Sequence, residues 1–334
     1  MKPCQPQCLF REKWDQQCII NEYPPQFRHP HKALLYRLAG GGVMHGEGSL
    51  SMSRWAAWDT PAPQWSNRVN IEQCPGFYDY AAAADSSRID WHMNFADAEL
   101  FGFYAGSLFA QDELQVAEHP VLAAVREKLR LMSRADARYA PRTRDAVGRP
   151  TPVLLRGALR RIAIDTRPNP AVGRPHGLYG NELGRASAAT LQQATQRLPL
   201  PTVSNLLAIE APKGGHGRYR REQIIDAMQS ACCGFALLRT ESLTVNPKPA
   251  TIALHGGNWG CGAFGGNLAL MYTVQMLAAC WAGITLLRLY DTHPIAWQQA
   301  QYHYARLRRL RPDFQGTVAY LLSQGFTWGA GNGT

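Results

Sequence analysis

The stretch from Ala250 to Leu287 constrains the fold more than any other. Ala250 to His255 has the length and apolar character of a buried strand. It runs straight into His255-Gly256-Gly257-Asn258-Trp259-Gly260-Cys261-Gly262-Ala263-Phe264-Gly265-Gly266-Asn267. Six glycines fall within residues 256–266. Glycine lets the backbone close around a diphosphate with N–H groups turned inward, at the positive end of the helix that follows. The plainer alternative is a tight turn packed under a neighbouring helix, although a turn needs fewer glycines. No Gly-Lys-Ser/Thr ends the loop, so it is not a P-loop, and it lies too late in the chain to open a dinucleotide-binding unit. Leu268 to Leu287 carries no charged residue, but Gln275 and Gly283 interrupt it. A buried helix over Leu268–Ala282 and a buried strand over Thr285–Tyr290 account for it better than a membrane span does.

Around this unit the chain alternates in an α/β rhythm from about Arg88 onward. The pattern predicts strands over Ile89–Phe95, Arg161–Asp165, Val203–Ile209 and Gly234–Leu238. It predicts helices over Asp112–Met132, Glu182–Arg197, Arg221–Cys232 and Ile295–Arg309. Stretches 134–152 and 166–185, rich in Arg, Pro and Gly, read as surface loops. Residues 1–85 are rich in Trp, Pro, Gln and Gly with weak periodicity, which predicts an irregular or partly helical extension ahead of a catalytic domain over 86–334.

Hydrophobic residues make up 46% of the 334 and charged residues 18%, which excludes a disordered chain. A net charge of +10 suits an anionic partner, or a basic solvated face with no role. The N-terminus lacks the apolar core of a signal peptide, and the cysteines show no secreted-style framework. Both point to a cytoplasmic protein, or one delivered into a host cytosol, with reduced thiols. Cys4 and Cys8 with His29 and His31 do not have zinc-binding spacing, so neither a metal nor a cofactor is expected.

The order Gly257-Asn258-Trp259-Gly260-Cys261-Gly262-Ala263-Phe264-Gly265-Gly266 closely resembles the C-terminal signature of poly(ADP-ribose) glycohydrolases. Other segments follow that family in order. Ala208-Ile209-Glu210-Ala211 resembles its Ala-Ile-Glu/Asp-Ala strand, and Ala231-Cys232-Cys233-Gly234-Phe235 its Ala-Tyr-Cys-Gly-Phe. Asn94-Phe95-Ala96-Asp97 is similar to Asp-Phe-Ala-Asn, and Gln111-Asp112-Glu113 to the catalytic Gln-Glu-Glu. The resemblance covers about residues 88–292 and implies a macrodomain fold: a mixed sheet sandwiched between helices, with ADP-ribose in a cleft at strand ends. It implies ligand contacts from Gln111 and from Gly257, Asn258, Gly260, Cys261, Gly262, Ala263, Phe264 and Gly265. The chain departs from the family where a triple glycine should precede the acids; only Gly102 and Gly106 remain there. Gly40-Gly41-Gly42-Val43 stands before the strand it should follow, and is a decoy. For the family's tyrosine-bearing clasp, Tyr179 is the candidate.

Hydrolysis at the anomeric carbon of ribose needs a carboxyl group that protonates the leaving atom and then activates water. The resemblance gives that role to Glu113, with Asp112 positioning the ribose or tuning Glu113, since adjacent carboxylates push one proton affinity upward. Ordinary first-turn helix acids are the alternative. Asp97 stands where the family has Asn. An added carboxylate could pair a guanidinium, so an arginine-linked mono-ADP-ribose is the expected substrate; a strand-end turn cap is the alternative. The expected function is therefore an ADP-ribosylhydrolase acting on ADP-ribosylated protein. Poly(ADP-ribose) hydrolysis and a non-catalytic ADP-ribose-binding module are the other readings. Charge alone supports a nucleic-acid partner, because the Arg306–Arg311 cluster has no interleaved aromatics; no membrane partner is expected. Lys213 to Arg220 reads as a flexible solvated loop that could also furnish the cleft rim.

Overall fold

A computed structural model describes residues 6–41, 48–58, 62–65, 68–81, 87–248 and 251–331. Its strands are β1 (Cys8–Asp15), β2 (Ser49–Trp55), β3 (Asn70–Cys74), β4 (Arg88–Ala96), β5 (Val153–Ile164), β6 (Thr195–Glu210), β7 (Thr251–Gly256) and β8 (Leu286–Tyr290). Its helices are α1 (Gln16–Glu22), α2 (Pro30–Leu38), α3 (Gln111–Glu118), α4 (Val121–Met132), α5 (Ala188–Ala194), α6 (Arg221–Val245), α7 (Leu268–Ala282), α8 (Pro294–Leu310) and α9 (Phe314–Ser323). The strands form one sheet in the order β1-β2-β5-β6-β4-β7-β8-β3. From β6 to β3 every pairing is parallel, and from β1 to β6 every pairing is antiparallel.

Alternation along the central strands sorts side chains to two faces. Leu207 and Ile209 of β6 join Trp91 and Met93 of β4 in a core with α6, α7, α8 and α9. Leu206, Ala208 and Ala96 point the other way, into a core with α1 and α4. This is the expected mixed sheet between helices. It also turns His92 and Asn94, which alternate with Trp91 and Met93, toward the α3 side.

Helix α7 has the predicted bounds, and its ends show why. The Asn267 side chain accepts a hydrogen bond from Leu270 N at 3.1 Å, and Gly283 closes the helix in the left-handed region. No helix among the described residues is long and apolar enough to cross a membrane.

Several expectations need correction. The helix predicted over Asp112–Met132 is two helices, parted at Pro120, whose ring denies the ladder a donor. Glu182–Arg197 is not one helix but a short 3-10 turn, α5 and the start of β6. Gly234–Leu238 is not a strand: α6 runs through it, and a Cβ on Gly234 would lie 3.0 Å from the Ile209 side chain. That glycine serves close helix–sheet approach and ends nothing. The strand read as Arg161–Asp165 is the last third of the longer β5. Residues 1–85, expected to be an irregular or partly helical extension, contribute strands at both edges of the sheet. Cys4, Gly42 and Val43 lie outside the described residues, and among the described residues no group of His, Cys, Asp and Glu is placed to hold a metal ion.

Candidate active site

A cleft of about 850 Å³ opens where β4, β7 and β8 end. Strand-end clefts of this kind are where open α/β sheets bind ligands. One wall is the glycine loop, from Gly256 to Phe264. The facing wall begins with Ala110 and Gln111 at the start of α3.

Most of the loop's glycines are required by packing. A Cβ on Gly257 would lie 2.9 Å from Tyr290 O, and one on Gly256 would lie 2.4 Å from Gln275 Oε1. Gly260 has a φ of +73°, and its added Cβ would meet Ala211 Cβ at 2.4 Å. Gly265 has a φ of +65° and packs on the backbone of residues 329–331. Among the sequence-assigned ligand residues Gly257, Asn258, Gly260, Cys261, Gly262, Ala263 and Phe264 line the cleft, whereas Gly265 does not. Asn258 is held in place: its Oδ1 accepts from Tyr272 Oη, and its Nδ2 donates to Asp291 O at 3.1 Å.

Gln111 works mainly as a clamp. Its Nε2 donates to Met93 O at 3.0 Å and its Oε1 accepts from Phe95 N at 2.8 Å, so the side chain extends the backbone pairing of β4. Its backbone N–H donates to Tyr179 Oη at 3.1 Å. Burial pushes the Tyr179 phenol up to about 12, which keeps it protonated. The Tyr179 ring stacks on Phe77 at 5.7 Å between centroids, and both line the cleft. Phe77 belongs to the segment that the sequence left without a function.

Helix α3 presents Gln111, Leu114, Gln115 and Glu118 to the cleft, the i, i+3, i+4, i+7 stripe of one face. Asp112 and Glu113 lie off that stripe and are not in the lining. Asp112 Oδ1 accepts from Asn94 Nδ2 at 2.8 Å. Glu113 Oε2 accepts from Ala110 N at 2.8 Å, capping its own helix. Behind them Glu113 shares a small void with Lys32 of α2. Burial raises the proton affinity of both acids; Glu113 raises that of Asp112 further, while Lys32 draws both down. Lys32 is itself lowered to about 8, chiefly by burial. Its ammonium donates to Tyr104 O at 3.3 Å and lies 5.2 Å above the Phe109 ring.

Asp97 is not a free carboxylate. Its Oδ2 lies 2.8 Å from Lys213 Nζ, and its Oδ1 accepts from Glu99 N at 3.0 Å. Lys213 Nζ also lies 3.1 Å from Glu210 Oε1, and 5.7 Å from the centre of the Phe264 ring. Arg144 binds the other oxygen of Glu210 and forks onto Asp226. The stretch beginning at Lys213 thus opens with a residue fixed by two ion pairs beside Phe264, which lines the cleft where Lys213 itself does not. Basic side chains near a strand-end acid were the only sequence signal for this network, and they did not identify partners. A second polar group was unforeseen: His255 Nε2 pairs with Asp90 at 2.7 Å, and its ring stacks on His92 at 4.2 Å. Burial holds His92 neutral.

Residues 179–293 match the family model described as "Poly (ADP-ribose) glycohydrolase (PARG), Macro domain fold". That segment holds the glycine loop but not the acids of α3. None of the curated proteins matches the chain. Similar solved structures include the poly(ADP-ribose) glycohydrolase from Thermomonospora curvata, at 16% identity and a TM-score of 0.39, covering 87% of this chain and 98% of that one. The Deinococcus radiodurans enzyme in complex with ADP-ribose is 15% identical with a TM-score of 0.42, covering 90% of this chain and 94% of that one.

Proposed function

We propose, from the similarity of residues 179–293 to the poly(ADP-ribose) glycohydrolase macrodomain, that this chain binds ADP-ribose and hydrolyses the bond at its distal anomeric carbon. The observation that carries the reading is the loop Gly257–Phe264, which forms one wall of an 850 Å³ cleft opposite the N-terminus of α3. A diphosphate lying along the loop would draw on the N–H groups that the loop does not itself use, since those of Gly257, Trp259 and Cys261 are already bonded within the protein. The distal ribose then falls between Phe264 and Gln111, beside the first turn of α3.

Glu113 is the proposed general acid. Burial shifts it toward its protonated form, the form that a proton donor to a leaving oxygen needs. The leaving group departs with that proton, and water adds its oxygen to the anomeric carbon while returning a proton to the carboxylate. Asp112, tied to Asn94 and itself drawn toward its protonated form by burial, is proposed to hold the first turn of α3, and with it Glu113, in position. For the acid to reach substrate, the first turn of α3 has to yield toward the cleft.

The arginine-linked preference expected from Asp97 presupposed an unpaired carboxylate, and Lys213 already occupies it. A neutral leaving group, as in polymer or a hydroxyl-linked ADP-ribose, is therefore favoured within the proposal. One observation favours a second reading, an ADP-ribose-binding module without catalysis: both acids face away from the cleft. Incubation with polymer and with serine-, glutamate- and arginine-linked ADP-ribosyl peptides tests both. Release of ADP-ribose supports the hydrolase; tight ADP-ribose binding with no release from any linkage leaves the binding module.

A further inference from the structure

Asp97 and Glu210 stand side by side because β4 and β6 are parallel neighbours in which Ala96 pairs with Glu210. Two carboxylates at adjacent strand ends repel unless a cation lies between them. Lys213, three residues beyond Glu210, folds back to supply it, at 2.8 Å from Asp97 and 3.1 Å from Glu210. Asp97 is engaged by Lys213 and Glu99 N. Glu210 is hydrogen-bonded by Arg144 on one oxygen; among the described residues its other oxygen has only the ion-pair contact with Lys213 and no hydrogen bond. The same ammonium faces the ring of Phe264, which lines the cleft. It therefore ties together the loops that follow β4, β6 and β7 just behind Phe264. Lys213, Asp97 and Glu210 do not themselves line the cleft, and Phe264 stands between them and the proposed position of the distal ribose.

We propose that Lys213 is a specificity-determining residue which, by holding the Asp97 and Glu210 carboxylates, excludes a cationic group on the distal ribose and admits a neutral one. The inference rests on the ADP-ribose reading above. A guanidinium on the anomeric carbon could gain the two carboxylates only by displacing Lys213, and if it does not it meets an ammonium of like charge. An alcohol oxygen carries no charge and pays neither penalty. Arginine in place of Lys213 would keep the cation and so keep the exclusion, whereas methionine would keep the stem and free both carboxylates.

The test is calorimetric titration of ADP-ribose and of ADP-ribosyl-arginine into the full chain and into Lys213→Met and Lys213→Arg. All three carry Glu113→Gln, so that turnover does not consume ligand. ADP-ribose is expected to bind all three alike. The arginine conjugate is expected to bind the Lys213 protein more weakly than ADP-ribose by about tenfold or more. Lys213→Met should abolish that gap and Lys213→Arg should preserve it. A gap that persists in Lys213→Met while ADP-ribose binds normally overturns the role of Lys213 and leaves the ADP-ribose reading standing. No binding of ADP-ribose to any of the three overturns both.

Discussion

The hydroxyl of Tyr179 accepts a hydrogen bond from the backbone N–H of Gln111 at 3.1 Å, so a loop residue caps the helix that carries the proposed acids. The first N–H groups of a helix have no partner of their own. Tyr179→Phe removes the acceptor and leaves this one unpaired in a largely enclosed place. The variant should lose about 1–2 kcal/mol of stability, measured by denaturant unfolding. If the capped turn positions the distal ribose, ADP-ribose affinity should also fall, while unchanged stability would show that water replaces the phenol at no cost.

Two glycines of one loop should behave differently. Gly262 lines the cleft, so Gly262→Val should fold and lose ADP-ribose binding in a thermal-shift assay. Gly265 is left-handed and packed on the backbone of residues 329–331, so Gly265→Val should lower the melting temperature before any ligand is added. Equal unliganded stabilities for the two variants would contradict this division.

The Asp112 carboxyl predicts an inverted pH dependence. Burial and Glu113 lift it from 3.8 to about 8, so the folded chain binds this proton more tightly than the unfolded chain does. Its contribution is thus full below the unfolded value and declines as pH rises toward the folded one, by at most about 1.4 kcal/mol per pH unit. Lys32, lowered to about 8, opposes this trend only at higher pH. Glu113, Lys32 and Asp97 are the charged groups acting on the site. Asp112→Asn should flatten the fall in melting temperature between about pH 5 and about pH 8. An identical slope in the variant would mean that Asp112 stays charged.

Glu113→Gln separates chemistry from structure. The amide oxygen can still accept from Ala110 N, so the helix cap survives, but the proton donor is gone. Turnover should fall by roughly 10²–10⁴ with ADP-ribose affinity little changed. Undiminished turnover would assign the acid elsewhere.

Much of the cleft wall could be read along the chain, since a strand, a glycine run and an apolar helix follow one another without interruption. Pattern located β4, β7, α7 and β8 because each is buried and bounded by strong turn or cap residues. Gly234 misled because a glycine that permits close packing looks the same in sequence as one that ends a helix. Gly265 misled in the same way: its freedom serves the chain's own C-terminal backbone rather than a ligand. The weak patterning of residues 1–85 hid their strands, because β1 is an edge strand whose second half, Arg11 to Asp15, is charged at all but one position. Neither Lys213 beside Asp97 nor Lys32 behind Glu113 was legible, since each contact depends on sheet order and helix placement rather than on spacing.

That β1 and β3 close opposite margins of a single sheet decides where the chain can be shortened. Cutting before Arg88 would strip β1 and β2 from one margin and β3 from the other, baring the hydrogen-bonding groups of β5 and β8 together. Uncovered margins of this kind recruit strands from other molecules. A fragment starting at residue 88 should therefore precipitate or assemble into mixed oligomers, even though it retains the whole glycine loop. The stretch that matches the family model is thus shorter than the stretch that keeps both margins of the sheet covered.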